Sequence, residues 1–211
     1  RERCAGFVDQ GYTATKWFPL WDPTDGKKGI AKIVELAETI RGAIGDDADF
    51  MLDAWMSWSP RFVEAVAYAI EHTNPRWIEE PVLPDLIDQC AETRERSVVP
   101  IATGEHEYTR WGIHQLLEAR ASDYLQPDTY WAGGITEMQK ICALASNYNI
   151  PVIPHGHGVH ANIHLSCALP IPSVPFVEYL IKWQTLLQFF FRDKCQPVNG
   201  IVTVPDRPGL G

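Results

Sequence analysis

Apolar and polar residues alternate along the chain in two patterns. Short apolar runs rich in β-branched and aromatic side chains predict strands, and longer segments whose apolar residues share one helix face predict helices. In 27–44, for example, Ile33, Ala37 and Ile40 recur at helical spacing. The predicted strands are 12–18, 50–54, 76–79, 98–103, 123–126, 151–153 and 176–179. The predicted helices are 1–9, 27–44, 60–72, 85–96, 111–118, 136–147 and 161–168.

This alternation of strands and helices predicts an α/β fold with parallel strands. The units of about 25 residues match a TIM-type (β/α) barrel, although seven strands leave that barrel one strand short. The alternative is a doubly wound sheet, which would carry a glycine-rich phosphate turn after its first strand, and none follows 12–18. We therefore predict a modified, incomplete barrel domain over 1–188 and a tail over 189–211 that wraps the barrel.

Acidic residues and one histidine stand near the ends of the predicted strands, about one strand–helix unit apart. They are Asp53, Glu79, Glu105, Asp128, His155 and Glu178. In a barrel the C-terminal ends of the strands converge on one face, and catalytic groups are drawn from several of them. Because the same chemical feature recurs at this interval, we predict a single active site built from these residues.

Asp53, Glu79 and Glu105 occupy the ends of three successive predicted strands. Three converging carboxylates repel one another unless a cation lies between them, and ligands that are all oxygen favour a hard ion, Mg²⁺ above others. A zinc site is also conceivable, because His160 and His164 are spaced four residues apart. No glutamate lies between them as in the His-Glu-x-x-His motif, so zinc is disfavoured.

The composition excludes several classes of partner. The net charge of −9 and the lack of a basic stripe exclude nucleic acid. No apolar stretch approaches the roughly 18 residues of a membrane helix. Five cysteines without a Cys-x-x-Cys spacing predict buried thiols in a reducing compartment. We therefore predict a cytoplasmic protein in which a local cation, rather than the overall field, would meet an anionic substrate.

Several motifs carry a resemblance to a known family. Three runs resemble the metal-ligand motifs of the enolase superfamily: Leu52-Asp53-Ala54, Trp77-Ile78-Glu79-Glu80-Pro81 and Thr103-Gly104-Glu105. The runs 125–128, 133–134 and 154–156 are similar to those of its mandelate racemase subgroup. The runs 51–56, 104–106, 197–200 and 205–209 are most similar to L-rhamnonate dehydratases. The resemblance implies a barrel domain, one Mg²⁺ and the dehydration of a sugar acid.

The chemistry that the resemblance implies is removal of the proton alpha to a carboxylate, with a divalent cation to stabilise the resulting charge. His155 is the candidate base, and Asp128 would hold its ring and raise its basicity. In a dehydratase the same histidine also helps the β-hydroxyl to leave. Glu178 matches a family acid that hydrogen-bonds the substrate carboxylate. The alternatives are a structural loop histidine at 155 and a solvated acid at 178.

Lys16 lies near the end of the first predicted strand, where the subgroup often has a Lys-x-Lys motif. This chain has Lys16-Trp17-Phe18, so the second lysine is missing. A racemase with one base on each face of the carbanion is therefore disfavoured. Lys16 either neutralises substrate charge in the site or is a plain surface lysine.

Three further residues are candidates for substrate contacts. His106 follows a predicted metal ligand, Trp131 follows a strand end, and His157 lies in the histidine-rich loop after His155. Core packing explains a tryptophan at such a position equally well.

Members of the superfamily carry an N-terminal capping domain, and nothing in this chain matches that domain or the first barrel strand. The expected function is Mg²⁺-dependent dehydration of a small sugar acid similar to L-rhamnonate, which gives a 2-keto-3-deoxy acid. We expect the full-length protein to be a homo-oligomer. The alternatives are a racemase or epimerase of the same subgroup and a catalytically silent fragment.

Overall fold

The computed structural model describes residues 1–211 and has an α/β architecture. The strands are β1 Ala14–Trp17, β2 Asp49–Asp53, β3 Trp77–Glu79, β4 Ile101–Thr103 and β5 Tyr124–Leu125. The helices are α1 Glu2–Asp9, α2 Gly26–Ile44, α3 Pro60–Ile70, α4 Ile87–Arg96, α5 Thr109–Glu118, α6 Ile135–Ser146, α7 Val159–Ala168 and α8 Gln184–Leu187. Short 3₁₀ turns occupy Pro23–Asp25, Glu71–Thr73 and Gly156–Gly158. None of the helices is long and apolar enough to span a membrane.

The chain forms two compact units, and the first comprises residues 1–102, 119–122 and 198–201. Its strands pair in parallel and in chain order, with Trp17 opposite Leu52, Leu52 opposite Ile78 and Ile78 opposite Ile101. A core of buried aliphatic and aromatic side chains packs the strands against α2 and α3. Each large apolar side chain buried in this way contributes roughly 1.5–3 kcal/mol to stability.

The helix boundaries in the first unit follow local signals. The apolar stripe of α2, which includes Ile33, Ala37 and Ile40, is buried as its spacing predicts. This helix ends at Gly45, whose φ of +74° lies in the region that favours glycine. Helix α3 begins after Ser59, whose hydroxyl accepts a hydrogen bond from the Phe62 amide, and Pro60 occupies its first turn.

The second unit comprises residues 103–118, 123–197 and 202–211. The amide of Gln126, which follows β5, donates to the Thr103 carbonyl over 2.9 Å. Leu125 of β5 forms a parallel bridge with Val152. Helix α7 contributes Val159 and Ile163 to a small apolar cluster that includes Cys195.

Every predicted helix is confirmed to within two residues at its ends, but the last two predicted strands differ from the structure. The run 151–153 makes only the single bridge at Val152, and 176–179 is not a strand. Pro170, Pro172 and Pro175 precede that last run, and proline has no amide hydrogen to donate to a ladder. Val177 and Tyr179 instead pack beside α7. The division at residue 188 stays a prediction.

Candidate functional site

Lys16, Asp53 and Glu79 form the lysine–carboxylate cluster of the first unit. Asp53 and Glu79 are paired residues of β2 and β3, so the strand register places their carboxylates side by side. The Lys16 ammonium on β1 forms a hydrogen bond with Glu79 Oε1 and lies 3.3 Å from Asp53 Oδ2. The side chains are 10% exposed for Lys16, 4% for Asp53 and 0% for Glu79, so this is a buried ionic site.

The second oxygen of each carboxylate accepts a hydrogen bond from a nearby N–H group. Asp53 Oδ1 accepts from the Trp55 amide over 3.1 Å, and Glu79 Oε2 accepts from the Trp77 indole, also over 3.1 Å. Trp55 and Glu80 have φ values of +43° and +36°, which strain the backbone within two residues of the two acids. Strain at such a position is typical of functional sites, because surrounding structure must hold it in place.

The carboxylate oxygens of this cluster are suitable ligands for a hard divalent cation. Asp53 and Glu79 each turn one oxygen toward the single positive charge of Lys16, which leaves two buried carboxylates facing one ammonium. Carboxylate oxygen is the ligand that Mg²⁺ prefers, and a doubly charged ion balances two carboxylates. The first unit therefore contains two of the three predicted metal ligands in a suitable arrangement.

The histidine cluster of the second unit comprises Glu105, Asp128, His155, His157 and Glu178. Asp128 is fully buried and is held by the turn that follows it, since Oδ1 accepts hydrogen bonds from the amides of Tyr130 over 2.8 Å and Trp131 over 3.2 Å. Its Oδ2 lies 2.9 Å from His155 Nδ1. An ionised carboxylate only accepts hydrogen bonds, so Nδ1 carries the proton that is donated to Asp128, and Nε2 is the other ring nitrogen.

Two further acids face Nε2 of His155. Glu105 Oε1 lies 3.3 Å from Nε2, and Glu178 Oε2 lies 3.7 Å from it. The Gly156 amide donates to Glu178 Oε2 over 2.8 Å, which fixes the orientation of this carboxyl group. The structure thus brings the predicted base, its predicted orienting acid and two predicted strand-end acids together.

His157, Trp131 and His106 lie beside the Asp128–His155 pair. His157 Nδ1 is 3.2 Å from Asp128 Oδ2, so two histidines share one carboxylate oxygen. The Trp131 ring centroid lies 5.0 Å from that of His157 and 5.6 Å from that of His106. Burial lowers the pKa of His157 and the nearby His155 lowers it further, while Asp128 and Glu178 partly oppose the shift. His157 is therefore mainly neutral at pH 7.

His160 and His164, the pair that suggested zinc, contact separate parts of the backbone. His160 Nε2 is 3.0 Å from the Asp193 carbonyl, and the ring stacks on Phe191 at 4.1 Å. His164 Nε2 is 3.3 Å from the Leu210 carbonyl. Both rings therefore connect α7 to the C-terminal residues.

Comparison with known proteins places the chain in a family. The enolase C-terminal domain-like family matches residues 1–211, which is the whole chain. The chain belongs to this family. Its fold is therefore that of the enolase C-terminal barrel domain, and the relatives below are enzymes of the same superfamily.

Two curated relatives are sugar-acid dehydratases. L-rhamnonate dehydratase from Saccharopolyspora erythraea is 34% identical over 209 residues, which are 95% of this chain and 53% of the relative. Arabinonate dehydratase from Saccharolobus solfataricus is 33% identical over 190 residues, or 88% of this chain and 50% of the relative. The chain thus spans about half the length of the curated relatives that it matches.

A solved structure of rhamnonate dehydratase from Gibberella zeae complexed with Mg is also similar. It superposes with a TM-score of 0.75 and 36% identity, and the match covers 82% of this chain and 42% of that one. The enolase-like assignment thus rests on sequence and on three-dimensional similarity.

Sequence reasoning missed several buried polar residues that support the histidine cluster of this enolase-like domain. The Asn162 amide donates to the His155 carbonyl over 2.7 Å, and the Gln184 amide donates to the Gly156 carbonyl over 2.9 Å. Both side chains are buried. A buried amide needs hydrogen-bond partners, so a polar residue within an apolar stretch was the signal that could have identified them.

Proposed function

We propose that this chain is the barrel domain of an acid-sugar dehydratase. The observation that carries the proposal is the buried Asp128–His155 pair, in which two backbone amides hold the acid and the acid holds the ring. This is the arrangement that general base catalysis requires, because the ring must present one defined nitrogen to the substrate. The names of both curated relatives support the reaction class.

The proposed reaction uses His155 twice. Nε2 removes the proton from C2 of the sugar acid, while the Asp128 carboxylate stabilises the imidazolium that forms. The same nitrogen then gives this proton to the departing C3 hydroxyl, which leaves as water. The resulting enol takes up a proton at C3 and loses the proton of its C2 hydroxyl, which gives a 2-keto-3-deoxy acid, so substrate and product differ by one molecule of water.

The remaining predicted residues have roles in binding. Glu178 would hydrogen-bond the substrate carboxylate, and Lys16 would neutralise the negative charge of the substrate. The side chains that would contact the sugar are His106, Trp131 and His157. A bound Mg²⁺ would stabilise the negative charge that develops when C2 loses its proton. We propose the predicted carboxylates Asp53, Glu79 and Glu105 as its ligands. The Asp53–Glu79 pair and the Mg complex of the Gibberella zeae enzyme support this choice.

The test is turnover of a panel of sugar acids by the 211-residue chain with Mg²⁺, followed by a carbonyl-specific assay for the 2-keto-3-deoxy product. L-rhamnonate and arabinonate head the panel, because the curated relatives are named for them. We expect product that EDTA abolishes, and none from His155→Asn. The control is His72→Asn, which changes an exposed histidine paired with Glu38.

Other outcomes of this assay would contradict the proposal in distinct ways. Product from His155→Asn at the unaltered rate would exclude His155 as the base. Solvent deuterium at C2 of recovered substrate, with the C3 hydroxyl retained, would identify a racemase or epimerase instead. Assembly into a homo-oligomer and a cytoplasmic location stay predictions, and light scattering in solution would measure the first.

A further inference from the structure

Lys16 occupies the position between the two carboxylates that we propose as metal ligands. Its ammonium contacts Glu79 Oε1 and lies 3.3 Å from Asp53 Oδ2, and its side chain is 10% exposed. All three residues lie on adjacent, paired strands, so their spacing is set by the sheet. This lysine is therefore part of a buried ionic arrangement rather than a surface charge.

The two carboxylates present a defined pair of oxygens to a cation. The Trp55 amide holds Asp53 Oδ1 and the Trp77 indole holds Glu79 Oε2, so Asp53 Oδ2 and Glu79 Oε1 are the atoms that face the ammonium. Mg²⁺ binds carboxylate oxygen at about 2.0–2.1 Å. An ion that bound both oxygens from the side of Lys16 would overlap the ammonium, and two cations at one pair of oxygens repel each other, so we expect the pair to hold one cation at a time.

We propose that Lys16 is the resident counter-cation of this carboxylate pair and that Mg²⁺ binds by displacing it. The inference rests on the proposed assignment of Asp53 and Glu79 as metal ligands. Without metal, the ammonium offsets two buried negative charges that would otherwise repel each other. With metal, the doubly charged ion takes over that role and Lys16 leaves the pair. Lys16 and the metal ion thus compete for the same pair of carboxylates.

Chemical labelling of the unaltered chain tests displacement directly. The chain is treated with an amine-acetylating reagent with and without Mg²⁺, and mass spectrometry measures the modification of each lysine. We expect Lys16 to be protected without metal and to be acetylated several-fold faster with it. Lys28, exposed on α2, is the internal control and should react at one rate throughout. A Lys16 rate that stays constant or falls on metal binding would overturn the inference.

The second measurement is Mg²⁺ affinity by titration calorimetry in Lys16→Met. Loss of the competing ammonium should tighten Mg²⁺ binding by roughly 10–100-fold, the size of effect that groups adjoining a metal site usually have. Without Mg²⁺ the variant should melt at a lower temperature than the unaltered chain, and Mg²⁺ should raise its melting temperature more. Lys28→Met should change neither quantity. Equal or weaker binding by Lys16→Met would contradict displacement.

These experiments separate failure of the inference from failure of the proposed metal site. If the unaltered chain binds Mg²⁺, and Asp53→Asn and Glu79→Gln abolish binding, the metal site stands whatever Lys16 does. If Lys16→Met and the labelling rates then show no effect, only the displacement fails. If no chain binds Mg²⁺, both proposals fall. Labelling uses the unaltered chain, so it gives a decision even where Lys16→Met does not fold.

Discussion

The lysine–carboxylate cluster and the histidine cluster hold buried acids by different means. In the first, Asp53 and Glu79 are restrained by a lysine ammonium, one backbone amide and one indole. In the second, Asp128 is restrained by two backbone amides of the turn that follows it, and Glu178 by the Gly156 amide. The first arrangement therefore depends mostly on replaceable side chains, and the second mostly on backbone geometry.

This difference matters for what each cluster can do. Side-chain donors such as Lys16 can move away when another cation arrives, so the first cluster suits a site that exchanges one cation for another. Backbone amides remain where the chain places them, so Asp128 keeps one orientation and imposes it on His155. A group that must transfer a proton repeatedly at one atom benefits from such a rigid partner.

The largest effect that we expect comes from Asp128→Asn. The asparagine carbonyl can still accept the hydrogen bond from the Tyr130 amide. Its NH₂ group would instead donate a hydrogen bond toward His155 Nδ1, so Nδ1 would have to be the unprotonated nitrogen of the ring. Nε2 would then carry the proton and could not act as a base, so kcat should fall by roughly 10³–10⁴-fold. Steady-state kinetics measure this, with exposed Asp88→Asn on α4 as control. A kcat close to that of the unaltered chain would rule out the rigid-partner role.

A smaller effect is expected for Trp77→Phe in the lysine–carboxylate cluster. The change removes the indole N–H that holds Glu79 Oε2, so Glu79 can rotate away from the orientation that faces a cation. We expect Mg²⁺ affinity to fall by roughly tenfold, measured by titration calorimetry. Trp111→Phe, at an exposed position on α5, is the matched control. Unchanged affinity would mean that the strand register holds Glu79 without the indole.

The smallest effect concerns the pH dependence of stability at His157. Burial, then the nearby His155, lower the pKa of this ring in the folded chain, so the unfolded chain binds a proton more readily. The pKa of His157 in the unfolded chain is about 6.5. As pH drops below that value, the free energy of unfolding should decrease until pH passes the lower pKa of the folded chain. Above about pH 7 this loss of stability should be absent. Urea unfolding should show a shallower pH dependence for His157→Gln.

The control for this prediction is His72→Gln, which removes an exposed histidine paired with Glu38. The free energy of unfolding of this control should keep the pH dependence of the unaltered chain and should not become shallower as in His157→Gln. If His157→Gln and the unaltered chain lose stability equally as pH falls, the histidine cluster does not disfavour the charged form of His157.

Local patterns were sufficient to predict most of the fold. Helix α2 has one apolar stripe and a terminal glycine, and α3 has a serine cap followed by proline, so short-range forces already specify where they lie. The run 176–179 has the composition of a strand but does not form one. Strand formation needs a partner with available amides, and a single run of residues does not reveal its partner.

For the candidate site, the sequence by itself determined which acids and which histidine stand near strand ends, because apolar runs and their interval can be counted along the chain. It also determined membership of the enolase-like family through its short motifs. Only the tertiary structure decided that Lys16 lies between Asp53 and Glu79, that His155 and His157 share one oxygen of Asp128, and that Asn162 supports the His155 backbone. These contacts join residues far apart in the chain, and their geometry depends on strand register and turn conformation, which no local pattern records.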